Sequence, residues 1–167
     1  MPSSPAAPTP ARLELPNRRA TRRLARALGA ALAPGDALIL SGPLGAGKTF
    51  LVRAVCRALG LSEREPVLSP TFTLLRELAT RPPIAHADLY RLGSLEDAEQ
   101  LGLLEKRDQG AVLIAEWGER YPEALGPDCL SLSIELAPRA VTLSADGPRS
   151  LQLLQAICAG LRTDSDK

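Results

Sequence analysis

Eight consecutive residues, Gly42-Pro43-Leu44-Gly45-Ala46-Gly47-Lys48-Thr49, fit the pattern G-x-x-x-x-G-K-[ST]. Residues of these types at this spacing suit one task, holding a chain of phosphates. Glycines let the backbone turn tightly and present several N–H groups to one anion, so Leu44, Gly45, Ala46 and Gly47 would serve through their main chain. A helix opening at Lys48 would aim its positive end at the same charge. Lys48 would reach the β- and γ-phosphates, and the Thr49 hydroxyl would hold Mg²⁺. The bare pattern arises by chance in roughly one chain of this length in a hundred. The plainer reading is a glycine turn with an incidental Lys-Thr pair. An apolar run before the loop and a helical pattern after it argue for the phosphate site.

Phosphate chemistry needs more than the loop. The apolar run 111–115 ends at Glu116-Trp117. Ligands in open α/β sheets sit beyond the carboxyl ends of the strands, so Glu116 is the candidate metal carboxylate. Its plainer role is a glutamate facing solvent just past a strand. Ser69-Pro70-Thr71 offers two hydroxyls on a loop stiffened by proline, so Thr71 is a candidate sensor of the γ-phosphate. His86 and Asp88 share one face of a strand, and Asp88 could position the attacking water or bind Mg²⁺ through water. His86 is the only histidine, and a lone histidine usually serves as a hydrogen-bonded structural residue. Trp117 could stack on a ligand, or simply pack half-buried.

The elements that must position these residues follow from periodicity. Residues 12–15 read as a short strand, and 18–32 as a helix with Leu24, Leu28, Ala31 and Leu32 on one stripe. Residues 37–40 form a wholly apolar run suited to a central parallel strand. Helix 48–59 follows the loop and is ended by Gly60. A β-rich piece, 71–75, and the alternating run 84–90 could form a hairpin through 79–83. Ser94 caps a helix running toward residue 104. Residues 111–115, 130–136 and 141–144 are further strands, and 149–161 is a last helix. Strands alternating with helices, plus an antiparallel tail, give an α/β fold with a mixed, mainly parallel sheet flanked by helices. Residues 1–10 are expected to be a disordered lead, 11–161 one domain and 162–167 a polar tail.

Composition narrows the field. The 167 residues carry 20 Lys plus Arg against 19 Asp plus Glu, so no global field calls for nucleic acid or an anionic membrane. No apolar run approaches the ~18 residues of a membrane span. The N-terminus has no apolar core of a signal peptide. Cys56, Cys129 and Cys158 have no paired spacing and read as small apolar residues of a reducing cytoplasm. Aromatics are only 3%, too few for a base-stacking platform. Charge is nonetheless uneven. Segment 12–26 has six arginines against one glutamate, while 95–109 has five acids against two bases. Solvated helix faces or docking patches for a protein or tRNA would both produce this.

Four separated motifs agree with one family: the phosphate loop, Ser69-Pro70-Thr71-Phe72, His86-Ala87-Asp88-Leu89-Tyr90-Arg91-Leu92, and Glu116-Trp117. Together they resemble the TsaE (YjeE) family, bacterial P-loop ATPases of tRNA N6-threonylcarbamoyladenosine synthesis. The resemblance spans roughly residues 12–161. It implies a cytoplasmic, Mg²⁺-dependent ATPase that acts with a TsaB–TsaD pair and meets tRNA indirectly, at position 37, through that pair. By position it gives Lys48 and Thr49 phosphate and Mg²⁺ roles and Glu116 a Mg²⁺ role. Asp88 and Trp117 take essential active-site positions, and Arg139 falls near the nucleotide. Pro43 departs from the family, which often has Asp or Asn there. Backbone-mediated phosphate binding is untouched by that change.

Three other classes share parts of this inventory. A small-molecule kinase needs an acceptor pocket and usually an arginine-bearing lid; no clear lid is visible, and Arg76, Arg81 and Arg91 are the arginines that could serve one. A guanine-specific switch needs an Asn-Lys-x-Asp loop, and Asn17 is the only asparagine. A nucleotide sensor would bind without turnover.

Overall fold

Four consecutive apolar residues cannot form a half-exposed strand without stranding some side chains in water. In a computed structural model describing residues 9–163, strand β2 (Ala37–Ser41) accordingly lies at the centre of a seven-stranded sheet. Sheet order is β1 (Ala11–Glu14), β7 (Arg139–Ala145), β6 (Leu130–Leu136), β2, β5 (Val112–Glu116), β4 (Ile84–Asp88), β3 (Leu75–Leu78). The pairings β6–β2, β2–β5 and β5–β4 are parallel. Both margins are antiparallel: β3 on β4, β7 on β6 and β1 on β7. The expected mixed α/β sheet is therefore present, parallel through its four central strands β6, β2, β5 and β4. Most of the lead lies outside the described residues, as does the tail from residue 164.

Alternate side chains divide the core between two faces. Leu38, Leu40, Ile84, Val112, Ile114, Leu130 and Leu132 pack under α1 (Arg18–Ala31), α2 (Lys48–Ala58) and α5 (Pro148–Thr163). Ala37, Ile39, Ala85, Ala87, Leu113 and Ala115 form the opposite face, with α3 (Leu95–Glu99) and α4 (Leu103–Asp108). Helix α1 starts because the Asn17 side chain accepts from Ala20 N at 2.9 Å. Its stripe of Thr21, Leu24, Ala25 and Leu28 is buried. Each such leucine contributes about 1.5–3 kcal/mol, so Leu28→Asp would strip α1 from the sheet. Gly29 lets α1 approach α2 closely, since a Cβ there would meet Ala58 Cβ at 2.9 Å.

Two expected elements differ. The strand expected over 71–75 begins only at Leu75. Before it the chain turns: Leu74 N donates to Pro70 O at 2.7 Å, and Leu74 itself has φ 63°. The helix expected from Ser94 to residue 104 is two helices. Ser94 caps α3 through Asp97 N, but Gly102 adopts φ 68° and restarts the chain as α4. The hairpin through 79–83 and the remaining strands are present, with ends shifted by one or two residues. Cys56 and Cys129 are buried thiols, raised to about 12 and about 11 by burial, while Cys158 is half-buried.

Candidate active site

The parallel register brings the chemistry together. Leu40 pairs with Glu116, and Glu116 pairs with Asp88, so β2, β5 and β4 end level with one another. The phosphate loop leaves β2 at this same edge and feeds α2, whose first turn carries Thr49. The loop must turn where side chains have no room. A Cβ at Gly42 would lie 2.6 Å from Ile134 O, and one at Gly47 (φ 98°) would lie 2.4 Å from Arg139 Nη2. Only glycine fits either position.

Glu116 is the last residue of β5 and is buried, not a solvent-facing residue past the strand. Thr49 Oγ1 lies 2.9 and 3.0 Å from its two carboxylate oxygens. His86 Nε2 lies 2.8 Å from Oε1, so the ring proton belongs on Nε2, and no hydrogen-bond partner is found for the buried Nδ1. The structural histidine of the sequence reading is thus hydrogen-bonded, and its partner is the candidate metal carboxylate. Asp88 accepts from Ser69 Oγ at 2.5 Å and Tyr90 N at 3.0 Å. The Ser69–Leu74 turn is therefore pinned to the end of β4.

Lys48 Nζ donates to Gly42 O at 2.6 Å and Pro43 O at 3.0 Å, and lies 4.1 Å from the Trp117 ring centre. Burial lowers its pKa below the ordinary 10.5, against the opposing pull of Glu116, Glu119 and Asp88. Trp117 takes φ 61° immediately after β5, and Tyr90 flanks its ring at 4.9 Å between centres. That left-handed turn swings the indole beside the loop.

A cavity of about 470 Å³ opens among these groups. Leu44, Gly45, Gly47, Lys48, Thr49, Thr71, Asp88, Glu116 and Trp117 all line it. Ala46 is buried beneath the loop. Arg139, expected near the nucleotide, does not line the cavity. Its Nη2 braces Ala46 O at 3.1 Å. Phe50, Tyr90 and Arg91 also line the cavity; Phe50 and Tyr90 were not among the candidates, and Arg91 was considered only as a lid arginine. Tyr90 and Arg91 lie inside the run 86–92, which was the available signal; nothing in the sequence pointed to Phe50. The donor set suits Mg²⁺, because a hydroxyl and a carboxylate supply hard oxygens and phosphates and water complete such a shell.

The family model described as "Threonylcarbamoyl adenosine biosynthesis protein TsaE" matches residues 15–142. The chain belongs to the TsaE family. A relative from Streptomyces coelicolor, "tRNA threonylcarbamoyladenosine biosynthesis protein TsaE", is 43% identical over 77% of this chain and 85% of its own length. A relative of the same name from Treponema pallidum is 37% identical over 78% and 90%. Among solved structures, Bacillus subtilis YdiB superposes with a TM-score of 0.76 at 28% identity, covering 93% of this chain and 97% of its own. Among the described residues of this TsaE-family chain, no helix is long and apolar enough to cross a membrane.

Proposed function

We propose that this chain is a Mg²⁺-dependent ATPase of tRNA N6-threonylcarbamoyladenosine synthesis, one catalytic unit over 11–161 working in the cytoplasm with a TsaB–TsaD pair. The observation that carries the reading is the Thr49–Glu116 contact, which joins the phosphate loop to a buried carboxylate. Backbone N–H groups of residues 44–48 bind the phosphates, and Lys48 turns from its two carbonyls to the β- and γ-oxygens. Thr49 and Glu116 would hold Mg²⁺, which would supply charge neutralisation to the phosphates. Asp88 orients the attacking water, Thr71 senses the γ-phosphate, and Trp117 walls the nucleotide beside Lys48.

Among the described residues lining the cavity there is no glutamine to position water, and the one arginine, Arg91, lies 5.0 Å over the Phe72 ring. Such a site stabilises the developing charge poorly by itself. Turnover is therefore slow in isolation and rises when the TsaB–TsaD pair orders the Ser69–Leu74 turn or supplies a group of its own. The test is ATP hydrolysis by the chain alone and across a titration of TsaB–TsaD. A rise of at least ten-fold is expected. Fast hydrolysis unaffected by the pair would remove the gating, and phosphorylation of a metabolite instead of water would replace the ATPase with a kinase. Lys48→Ala should mainly weaken nucleotide binding, and Thr49→Ala should mainly slow Mg²⁺-dependent turnover.

A further inference from the structure

Helices α1 and α2 share a second groove of about 690 Å³, and its walls are arginine. Arg18, Arg22 and Arg26 come from α1, and Arg53 and Arg57 from α2, against the single acid Glu63. The concentration is local, because the whole chain carries a net charge of only +1. Arg53 and Arg57 are anchored: Arg53 donates twice to Val67 O, and Arg57 holds Ser62 O and Glu65 O. Arg18 and Arg22 are exposed, and among the described residues neither is paired with a carboxylate. Arg18 rests 5.7 Å above the Phe50 ring, and Phe50 lines both this groove and the nucleotide cavity.

We infer that this groove binds the phosphate backbone of an RNA strand directly. The α1 arginines recur every fourth residue, about 6 Å apart along a helix, which is comparable to the step between successive phosphates of one strand. Planar guanidinium forks match phosphate oxygens. Ala54 and Ala58 contribute small side chains to the lining, leaving room for a strand. A protein partner would want buried aromatic or aliphatic anchors, and the groove offers only Phe50, already covered by Arg18. Scarcity of aromatics excludes base stacking but not backbone contact. The inference does not rest on the ATPase reading, since the groove stands whether or not the cavity turns nucleotide over.

The experiment is fluorescence anisotropy of a labelled RNA hairpin with an A-form stem, titrated with the full chain at KCl from about 50 to 200 mM. Three to five phosphate contacts predict a log–log salt slope of roughly −2 to −4. The double variant R18E/R22E should bind at least ten-fold more weakly, with a slope shallower by about 2. Circular dichroism should show it folded, as expected for two exposed positions. R12E/K106E makes the same change in net charge on β1 and α4, and it should bind within two-fold of the parent. Equal affinity of parent and R18E/R22E, or no binding at low salt, would overturn the inference. So would competition by a polyglutamate peptide of matched charge as effective as that by unlabelled hairpin, because the groove would then be an acidic-protein site.

Discussion

Strand β2 has a polar cluster at each end, and the two clusters are built differently. At its start, Asp36 is buried and accepts from Arg149 Nε and Nη2 at 2.8 and 2.7 Å and from Ala33 N at 2.8 Å. Beside it, Asp128 accepts from Arg149 N and Ser150 N at the opening of α5. Charges and hydrogen bonds there are matched within the chain. At its other end, Glu116, Asp88 and Lys48 are equally buried, yet they edge an open cavity. Lys48 is held by carbonyls that any stronger anion would displace. A polar cluster whose partners are all internal holds a fold together. One that keeps capacity toward a cavity is ready for a ligand.

Substitutions at the two ends should therefore fail differently. The largest effect is expected at Glu116→Gln, which keeps shape and removes charge. Mg²⁺-dependent ATP hydrolysis should fall on the order of 10²-fold or more, the scale of losing one electrostatic group of a catalytic site. The melting temperature should stay within a few degrees. Undiminished turnover over a full Mg²⁺ titration would dissolve the contrast. Arg149→Ala should do the reverse, leaving nucleotide binding intact and destabilising the chain by about 2–3 kcal/mol. That is below the full cost of breaking a buried pair, since Arg149 is part-exposed while Asp36 is left without its counter-charge. Urea unfolding monitored by circular dichroism measures it.

His86 stands between these behaviours. It is fully buried like a core residue, yet it touches Glu116, the proposed metal carboxylate. Residues that orient a metal ligand are worth about 10–100-fold in metal affinity. His86→Ala should raise the Mg²⁺ concentration for half-maximal turnover by that factor, with much of the maximal rate regained at high Mg²⁺. His86→Gln, whose amide can still donate toward Oε1, should recover part of the loss. A variant that only melts earlier, with unchanged Mg²⁺ dependence, would make His86 packing alone.

The legible part of this molecule was whatever one segment carries by itself. The apolar run at 37–40, the loop beyond it and the stripe of α1 are local patterns, so their elements appeared where expected. The turn at 70–74 and the break at Gly102 were missed because both depend on single left-handed residues that β and helix propensities average away. Within the site, Glu116 could be picked as the end of an apolar run. Its hydrogen bond to His86 could not, because it depends on the register of β4 against β5, thirty residues apart. The arginine groove was half legible. Segment 12–26 shows its charge, but Arg53 and Arg57 join it only when α2 packs on α1.

The smallest effect expected concerns Asp128, and it sharpens what a closed cluster means. Burial pushes its carboxyl up, but hydrogen bonds from Ser150 and Arg149 and the nearby Arg107 outweigh burial, so its pKa lies below the ordinary 3.8. A lowered carboxylate stabilises the fold above its unfolded value, and the contribution fades as pH falls through the lower folded value. Asp128 also has φ 62°, a backbone conformation that Asn tolerates and most side chains do not. Asp128→Asn therefore keeps the backbone and one acceptor while removing the charge that faces the start of α5. The loss at neutral pH should be about 1 kcal/mol, or about 2–4 °C in melting temperature. As pH falls below 3.8 and on through the lower folded value, the parent's carboxyl takes up its proton and the two proteins should converge. A gap that stays constant from pH 7 to pH 3 would mean that shape, not charge, holds this end of the sheet. At the other end Glu116→Gln should show the opposite balance, with a large loss of turnover and little change in stability at any pH where the chain is folded.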